Sequence, residues 1–100
     1  MARIELAPKV ADDIDRILQH LFEHEVADAP SRIEDIVRAI DVLERNPLIG
    51  RAARAGLREL VIGQRARGYI ALYRYIAELD TVFILAIRGQ KEAGYGRAQT

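Results

Sequence analysis

From Pro8 onward the apolar residues Val10, Ile14, Ile17, Leu18, Leu21 and Phe22 are spaced 4, 3, 1, 3 and 1. At 100° per residue this gathers them into one stripe of an α-helix, with Lys9, Asp12, Asp13, Arg16 and Gln19 on the opposite face. Ahead of it, Arg3-Ile4-Glu5-Leu6 alternates as a short strand does, and Ala7-Pro8 ends that strand while suiting the first turn of a helix. A second stripe runs through Ile33, Ile36, Val37, Ile40 and Leu43. Asp28-Ala29-Pro30 supplies a capping side chain and a proline at its start, and Asn46-Pro47 stops it. The short connection from Glu23 to Ala29 makes the two helices an antiparallel hairpin whose joint apolar face must lie on something.

The remainder of the chain supplies the sheet. Leu57 to Ile62, Gly68 to Ile76 and Thr81 to Arg88 are rich in β-branched and aromatic residues and are joined by short segments, Asp80 being a suitable turn residue in the last. The predicted order is βααβββ, an α+β fold with the amino-terminal helical hairpin packed on one face of a small antiparallel sheet. In the last strand Phe83, Leu85 and Ile87 alternate with Val82, Ile84 and Ala86, so both of its faces are apolar. The middle strand carries Ile70, Leu72, Arg74 and Ile76 on one face and Tyr69, Ala71, Tyr73 and Tyr75 on the other. Two helices cover one face only. The other is expected to form a partly apolar, tyrosine-lined hollow that docks a partner segment, unless the carboxyl-terminal tail or the curl of the sheet fills it.

A length of 100 residues, half of them apolar, suffices for one core. A single domain over residues 1–95 is expected, with 96–100 as a flexible tail. The absence of cysteine excludes disulfides and thiolate metal sites. Glu5 and Pro8 interrupt any signal peptide, and no apolar run approaches the ~18 residues of a membrane span. A cytoplasmic protein without membrane contact is expected. The net charge of zero hides an asymmetry: residues 1–50 sum to −5 and residues 51–74 to +5. A basic middle beside an acidic front half means an acidic partner or two mutually attracting surfaces.

Candidate chemistry is sparse. His20-Leu21-Phe22-Glu23-His24 matches H-x-x-E-H, an inverted zinc-protease motif, but the histidines flank the apolar stripe and no third ligand is evident. No metal and no cofactor are expected. Gly63-Gln64-Arg65-Ala66-Arg67-Gly68 is basic and glycine-bounded, yet no helix follows to present an amide cradle, so it reads as a hairpin loop. The arginines Arg51, Arg54, Arg58, Arg65, Arg67, Arg74 and Arg88, interleaved with tyrosines, suit a nucleic-acid backbone and its bases or ion pairs with the acidic helices. Val42 falls on the charged side of the second helix, and Tyr73 reads as core.

The segments Asn46-Pro47-Leu48-Ile49-Gly50-Arg51, Leu57-Arg58-Glu59-Leu60, Tyr73-Arg74-Tyr75 and Ile84-Leu85-Ala86-Ile87-Arg88 resemble the RelE/ParE toxin superfamily, over roughly residues 3 to 95. The resemblance implies a small toxin of a type II toxin–antitoxin system, serving plasmid stabilisation or stress. It would be held in a hetero-oligomer by a cognate antitoxin whose carboxyl-terminal segment wraps it. Two branches compete. RelE-like members are ribosome-dependent messenger-RNA nucleases; ParE-like members inhibit DNA gyrase and have no known hydrolytic site. In RelE-like sequences a basic residue follows the Gly-Tyr that opens the third strand, whereas here Ile70 follows Gly68-Tyr69, and Leu60 stands where a second basic residue belongs. A neutral chain also suits ribosome binding poorly. The ParE-like branch is favoured, as a protein-binding inhibitor rather than an enzyme. On the nuclease alternative Arg58, Arg88, Lys91 and Tyr95 would be catalytic; on either, Arg58, Arg65, Arg67, Tyr69, Arg74, Arg88, Lys91 and Tyr95 would contact target or antitoxin, and Glu92 pairs with one of the bases. A non-toxic interaction domain of the same fold is the third reading.

Overall fold

The two stripes become helices α1 (Pro8–Glu23) and α2 (Ala29–Val42), preceded by strand β1 (Arg3–Leu6). Strands β2 (Arg51–Ala52), β3 (Arg58–Ile62), β4 (Tyr69–Ile76) and β5 (Thr81–Gly89) follow. A computed structural model describes residues 1–63 and 68–91. The expected loop through Arg65 and Arg67, and Glu92, Tyr95 and the tail 96–100, lie outside the described residues.

The strands form one sheet in the order β1-β5-β4-β3-β2. It is not wholly antiparallel. β1 lies parallel to β5, with Arg3 opposite Thr81 and Leu6 opposite Ile84, because the helical hairpin returns the chain before the meander begins. The Arg3 N–H donates to Asp80 O at 2.9 Å and the Ala7 N–H to Ile84 O at 2.9 Å, fixing that register. β2 is an edge piece of two residues that the sequence pattern did not announce.

The core lies between the hairpin and one face of the sheet. Ile17 and Leu21 of α1 and Ile36 and Ile40 of α2 meet Tyr69, Ala71 and Tyr73 of β4 and Val82, Ile84 and Ile87 of β5. Full burial of each large aliphatic side chain contributes about 1.5–3 kcal/mol. The tyrosine face of β4 is thus the helix side, and the expected tyrosine-lined hollow on the opposite face is not formed. That face instead presents Ile70, Leu72, Arg74 and Ile76. Alternation sorts the two sets but does not say which one the helices cover.

In β5 the phase changes midway. Tyr73 pairs with Ile84 but Leu72 with Ala86, so Leu85 is an extra, bulged residue. Val82, Ile84 and Ile87 consequently share the helix side, which explains a run apolar on both faces.

Three further expectations are corrected. Asp28 precedes α2 in the left-handed region (φ 64°, ψ 29°) and makes no side-chain cap hydrogen bond. A capping side chain needs extended backbone to reach the first free N–H groups, and Pro30 lacks one of these donors anyway. Phe22 is 65% exposed and Val37 49% exposed, at the margins of their stripes. Asp13, placed by its polarity on the solvent face, is buried at 1% exposure. At 100° per residue it lies about 60° from the middle of the row Val10, Ile17, Leu21, whereas Phe22 lies about 120° away.

Asp13 does the work of an absent strand. β1 stops at Leu6, leaving the outer edge of β5 uncovered further along. There Asp13 Oδ2 accepts the Ile87 N–H at 2.9 Å, and Arg16 Nη2 donates to Ile87 O at 3.1 Å. Asp13 Oδ1 also accepts from Lys9 Nζ (2.7 Å) and Arg16 Nη1 (2.6 Å). Burial alone would raise the Asp13 pKa, but these hydrogen bonds and the Lys9 charge outweigh it and hold the carboxyl below its ordinary value.

Candidate functional site

The expected site residues separate into two groups along β4. The first surrounds the segment after α2. The Tyr73 side chain, fully buried, donates its hydroxyl to Pro47 O at 2.8 Å and accepts the Gly50 N–H at 2.9 Å. Burial raises the Tyr73 pKa, against lesser opposing contributions from the Gly50 N–H and the Arg58 charge. Arg58, at the start of β3, donates Nη1 to Gly50 O at 2.7 Å and to Leu48 O at 3.2 Å. Gly50 must be glycine, because a Cβ there would stand 2.6 Å from Tyr73 Cε1 and 2.9 Å from Glu59 O. These contacts hold a tight loop whose tip exposes Leu48 and Ile49, each 57% accessible.

The other arginines of this region are engaged too. Arg51 reaches Glu59 Oε1 at 3.1 Å across the β2–β3 pair. Arg74 donates Nη2 to Ala55 O at 3.0 Å, steadying a turn in which Ala55 has φ 58°. Carbonyl groups are the partners of Arg58 and Arg74.

The second group lies where β4 begins and β5 ends. A cavity of about 490 Å³ opens there between the sheet and the helical hairpin. Ile17, Leu21, Val26 and Tyr69 supply its apolar lining, and Tyr69 itself is 7% exposed. Arg16, His20, Arg32 and Lys91 are its polar residues, and Gly68 and Gly89 bound it at the sheet. Gly68 cannot carry a side chain, since a Cβ would collide with the Gln90 side chain and Ile62 O. Arg88, near the end of β5, pairs with Ile70 in register and donates Nη1 to Gly89 O at 3.2 Å.

Of the expected contact residues, the structure thus brings Tyr69 and Lys91 together, sets Arg88 on the opposite face of the sheet with its pairing partner Ile70, and keeps Arg58 and Arg74 apart from them. Arg65, Arg67 and Tyr95 lie outside the described residues. Sequence reading missed Arg16 and Arg32 as cavity residues and Leu48-Ile49 as an exposed tip. A signal existed for Arg32: it precedes Ile36 by four residues and falls about 40° from it around the helix, on the buried side.

His20 and His24 stack with ring centroids 4.2 Å apart, and His24 Nδ1 lies 2.9 Å from His20 O. Among the described residues no group of three or more His, Cys, Asp or Glu is placed to hold a metal ion, and no helix is long and apolar enough to cross a membrane.

The family described as ParE toxin of the type II toxin–antitoxin system parDE matches residues 4–94, and the chain belongs to it. No curated protein sequence matches the chain significantly. Among solved structures, a chain of the chromosomal ParDE system from P. aeruginosa is 24% identical with a TM-score of 0.72, over 89% of this chain and 96% of that one. The E. coli RelBE toxin–antitoxin complex gives 15% identity and a TM-score of 0.62, over 92% and 99%. A RelBE complex from Mycobacterium tuberculosis gives 20% and 0.56, over 91% and 93%. At these identities the likeness is one of fold.

Proposed function

We propose that this toxin acts in the cytoplasm by binding and inhibiting DNA gyrase, without cutting RNA, and that a cognate antitoxin neutralises it by wrapping its surface. The observation that carries the reading is the engagement of Arg58. The guanidinium that a nuclease would aim at a scissile phosphate is hydrogen-bonded to Leu48 O and Gly50 O, in a network shared with Tyr73. Ile70, where a nuclease would carry a base, is 5% exposed within the sheet. The family match adds support. For the antitoxin, support comes from the solved relatives, which were found in toxin–antitoxin assemblies, and from the exposed apolar residues Phe22, Val37, Leu48 and Ile49.

The test is induced expression in a susceptible bacterium, followed by an assay of purified protein on gyrase supercoiling and on translated messages. Growth arrest with inhibited supercoiling and intact messages is expected. Arrest with cleaved messages and unaffected gyrase would replace this reading with the nuclease one.

A further inference from the structure

His20 and His24 are the only imidazoles in the chain, and both stand exposed at the end of α1. Four residues apart, they share one side of the helix. Their ring centroids are 4.2 Å apart, with the planes tilted by 36°. Two imidazoles that bind one cation at a right angle, each through a nitrogen ~2.0–2.1 Å from the ion, have centroids about 4.5 Å apart. The observed spacing already meets that requirement. A second observation concerns the ring nitrogens, since His24 Nδ1 lies 2.9 Å from His20 O. A carbonyl oxygen only accepts, so Nδ1 carries the proton and Nε2 keeps its lone pair. Metal-binding histidines are oriented in this way, one nitrogen donating to a carbonyl or carboxylate while the other meets the ion.

Glu23 and Glu25 flank His24 in sequence and Asp28 follows, all of them exposed, so the local field favours a cation. Glu23 accepts a hydrogen bond from Gln19 Nε2 at 3.3 Å, and among the described residues no third His, Cys, Asp or Glu completes a metal-holding group. The H-x-x-E-H spacing thus lacks the ligand set of a hydrolytic zinc centre, while its two imidazoles keep the geometry of a chelate. We infer that His20 and His24 form a two-imidazole clamp for a late first-row divalent cation, Cu²⁺, Ni²⁺ or Zn²⁺, with water in the remaining positions. Imidazole suits these ions, whereas Mg²⁺ and Ca²⁺ take oxygen donors. His20 belongs to α1 and His24 is the first residue beyond it. The ion therefore ties the last helical turn to the connection in which Glu25 turns the chain with φ 51°. A cation that prefers this folded pair to the separated imidazoles of the unfolded chain stabilises the fold as its concentration rises. The inference does not rest on the proposed function, and metal binding and gyrase inhibition can fail separately.

The experiment titrates the untagged, full-length protein with Ni²⁺ or Zn²⁺ by calorimetry and follows the ¹⁵N-labelled protein under substoichiometric Ni²⁺. One ion binds per chain, paramagnetic broadening centres on His20 and His24, and the thermal midpoint rises with ion concentration, while Mg²⁺ has no effect. His20→Gln and His24→Gln each weaken binding by at least about tenfold, since either leaves a single imidazole. Both residues are exposed, and the spectra of the variants report that the fold is kept. Glu23→Gln keeps the clamp and changes affinity by less than either histidine substitution. Full affinity in a histidine variant, broadening centred at the amino terminus or elsewhere, an equal response to Mg²⁺, or no binding at millimolar ion would overturn the assignment. So would a loss in Glu23→Gln as large as in the histidine variants, which would give the ion to carboxylates instead.

Discussion

Tyr73 and Tyr69 lie four residues apart on the same face of β4, yet their neighbourhoods are opposites. Around Tyr73 polar groups meet one another within the chain: its hydroxyl bridges Pro47 O and the Gly50 N–H, and Arg58 closes the loop over Gly50 O and Leu48 O. Around Tyr69 the packing stops short, leaving a cavity with Arg32 and Lys91 at its edge and no acid among the described lining residues. An arginine whose donors already meet carbonyl groups stabilises the fold, and to bind a phosphate it must first give up those bonds. The side chains of Arg32 and Lys91 have no bond with a described residue to give up. Arginine-rich sequence alone does not distinguish these situations, and the comparison separates an internally bonded end of β4 at Tyr73 from one bordering a cavity at Tyr69.

The comparison breaks first if the internally satisfied polar groups prove dispensable. The largest effect is expected at Asp13. Asp13→Ala leaves the Ile87 N–H without its acceptor and removes one of the partners of Arg16, costing about 2–3 kcal/mol in chemical denaturation. Its pH dependence has a definite sign. The folded-state pKa of Asp13 is lowered, so its contribution is complete above the unfolded carboxylate value of about 3.9 and is lost as the pH falls through the folded value. Asp13→Asn should therefore flatten the stability profile below about pH 4 relative to the parent. A parallel acid profile would mean that the Asp13 hydrogen bonds are not formed in solution.

Gly50→Ala comes next. Its Cβ would press into the Tyr73 ring and Glu59 O, and overpacking of this kind costs about 1–3 kcal/mol. Tyr73→Phe keeps the ring but strands the Gly50 N–H, for about 1–2 kcal/mol. Both losses should appear as a lowered denaturation midpoint with faster amide exchange at residues 48–50. Unchanged exchange there would sink the idea that Tyr73 pins the loop.

How far the chain could be read in advance follows the same physics. Helical periodicity placed α1 and α2 to within a residue or two, because an amphipathic stripe needs only local spacing. The three strands of the meander were legible for a similar reason, and Asp80 indeed turns the chain with φ 44°, its carboxylate accepting the Tyr75 hydroxyl at 2.7 Å. Direction and phase were not. The parallel pairing of β1 depends on where the hairpin returns, and the bulge at Leu85 has no glycine or proline to announce it. Which face of β4 meets the helices is equally hidden, since both faces are apolar enough to serve. Asp13 misled through its charge although its angular position pointed to the core, and Arg32, which the sequence reading passed over, lies on the buried side by the same measure. For this chain, position around the helix was a better guide to the candidate site than residue type.

The sharpest form of the comparison is a pair of surface changes with small and opposite consequences. Arg58→Met removes two hydrogen bonds to loop carbonyls and should cost about 1 kcal/mol, with the loss confined to the 47–58 region. Arg32→Glu combined with Lys91→Glu removes no bond made with a described residue, and its stability should stay within about 0.5 kcal/mol of the parent. The same double change reverses the charge at the cavity mouth. If the double variant instead unfolds more readily than Arg58→Met, then Arg32 and Lys91 hold the fold as Arg58 does, and the division between the internally bonded and the open end of β4 fails.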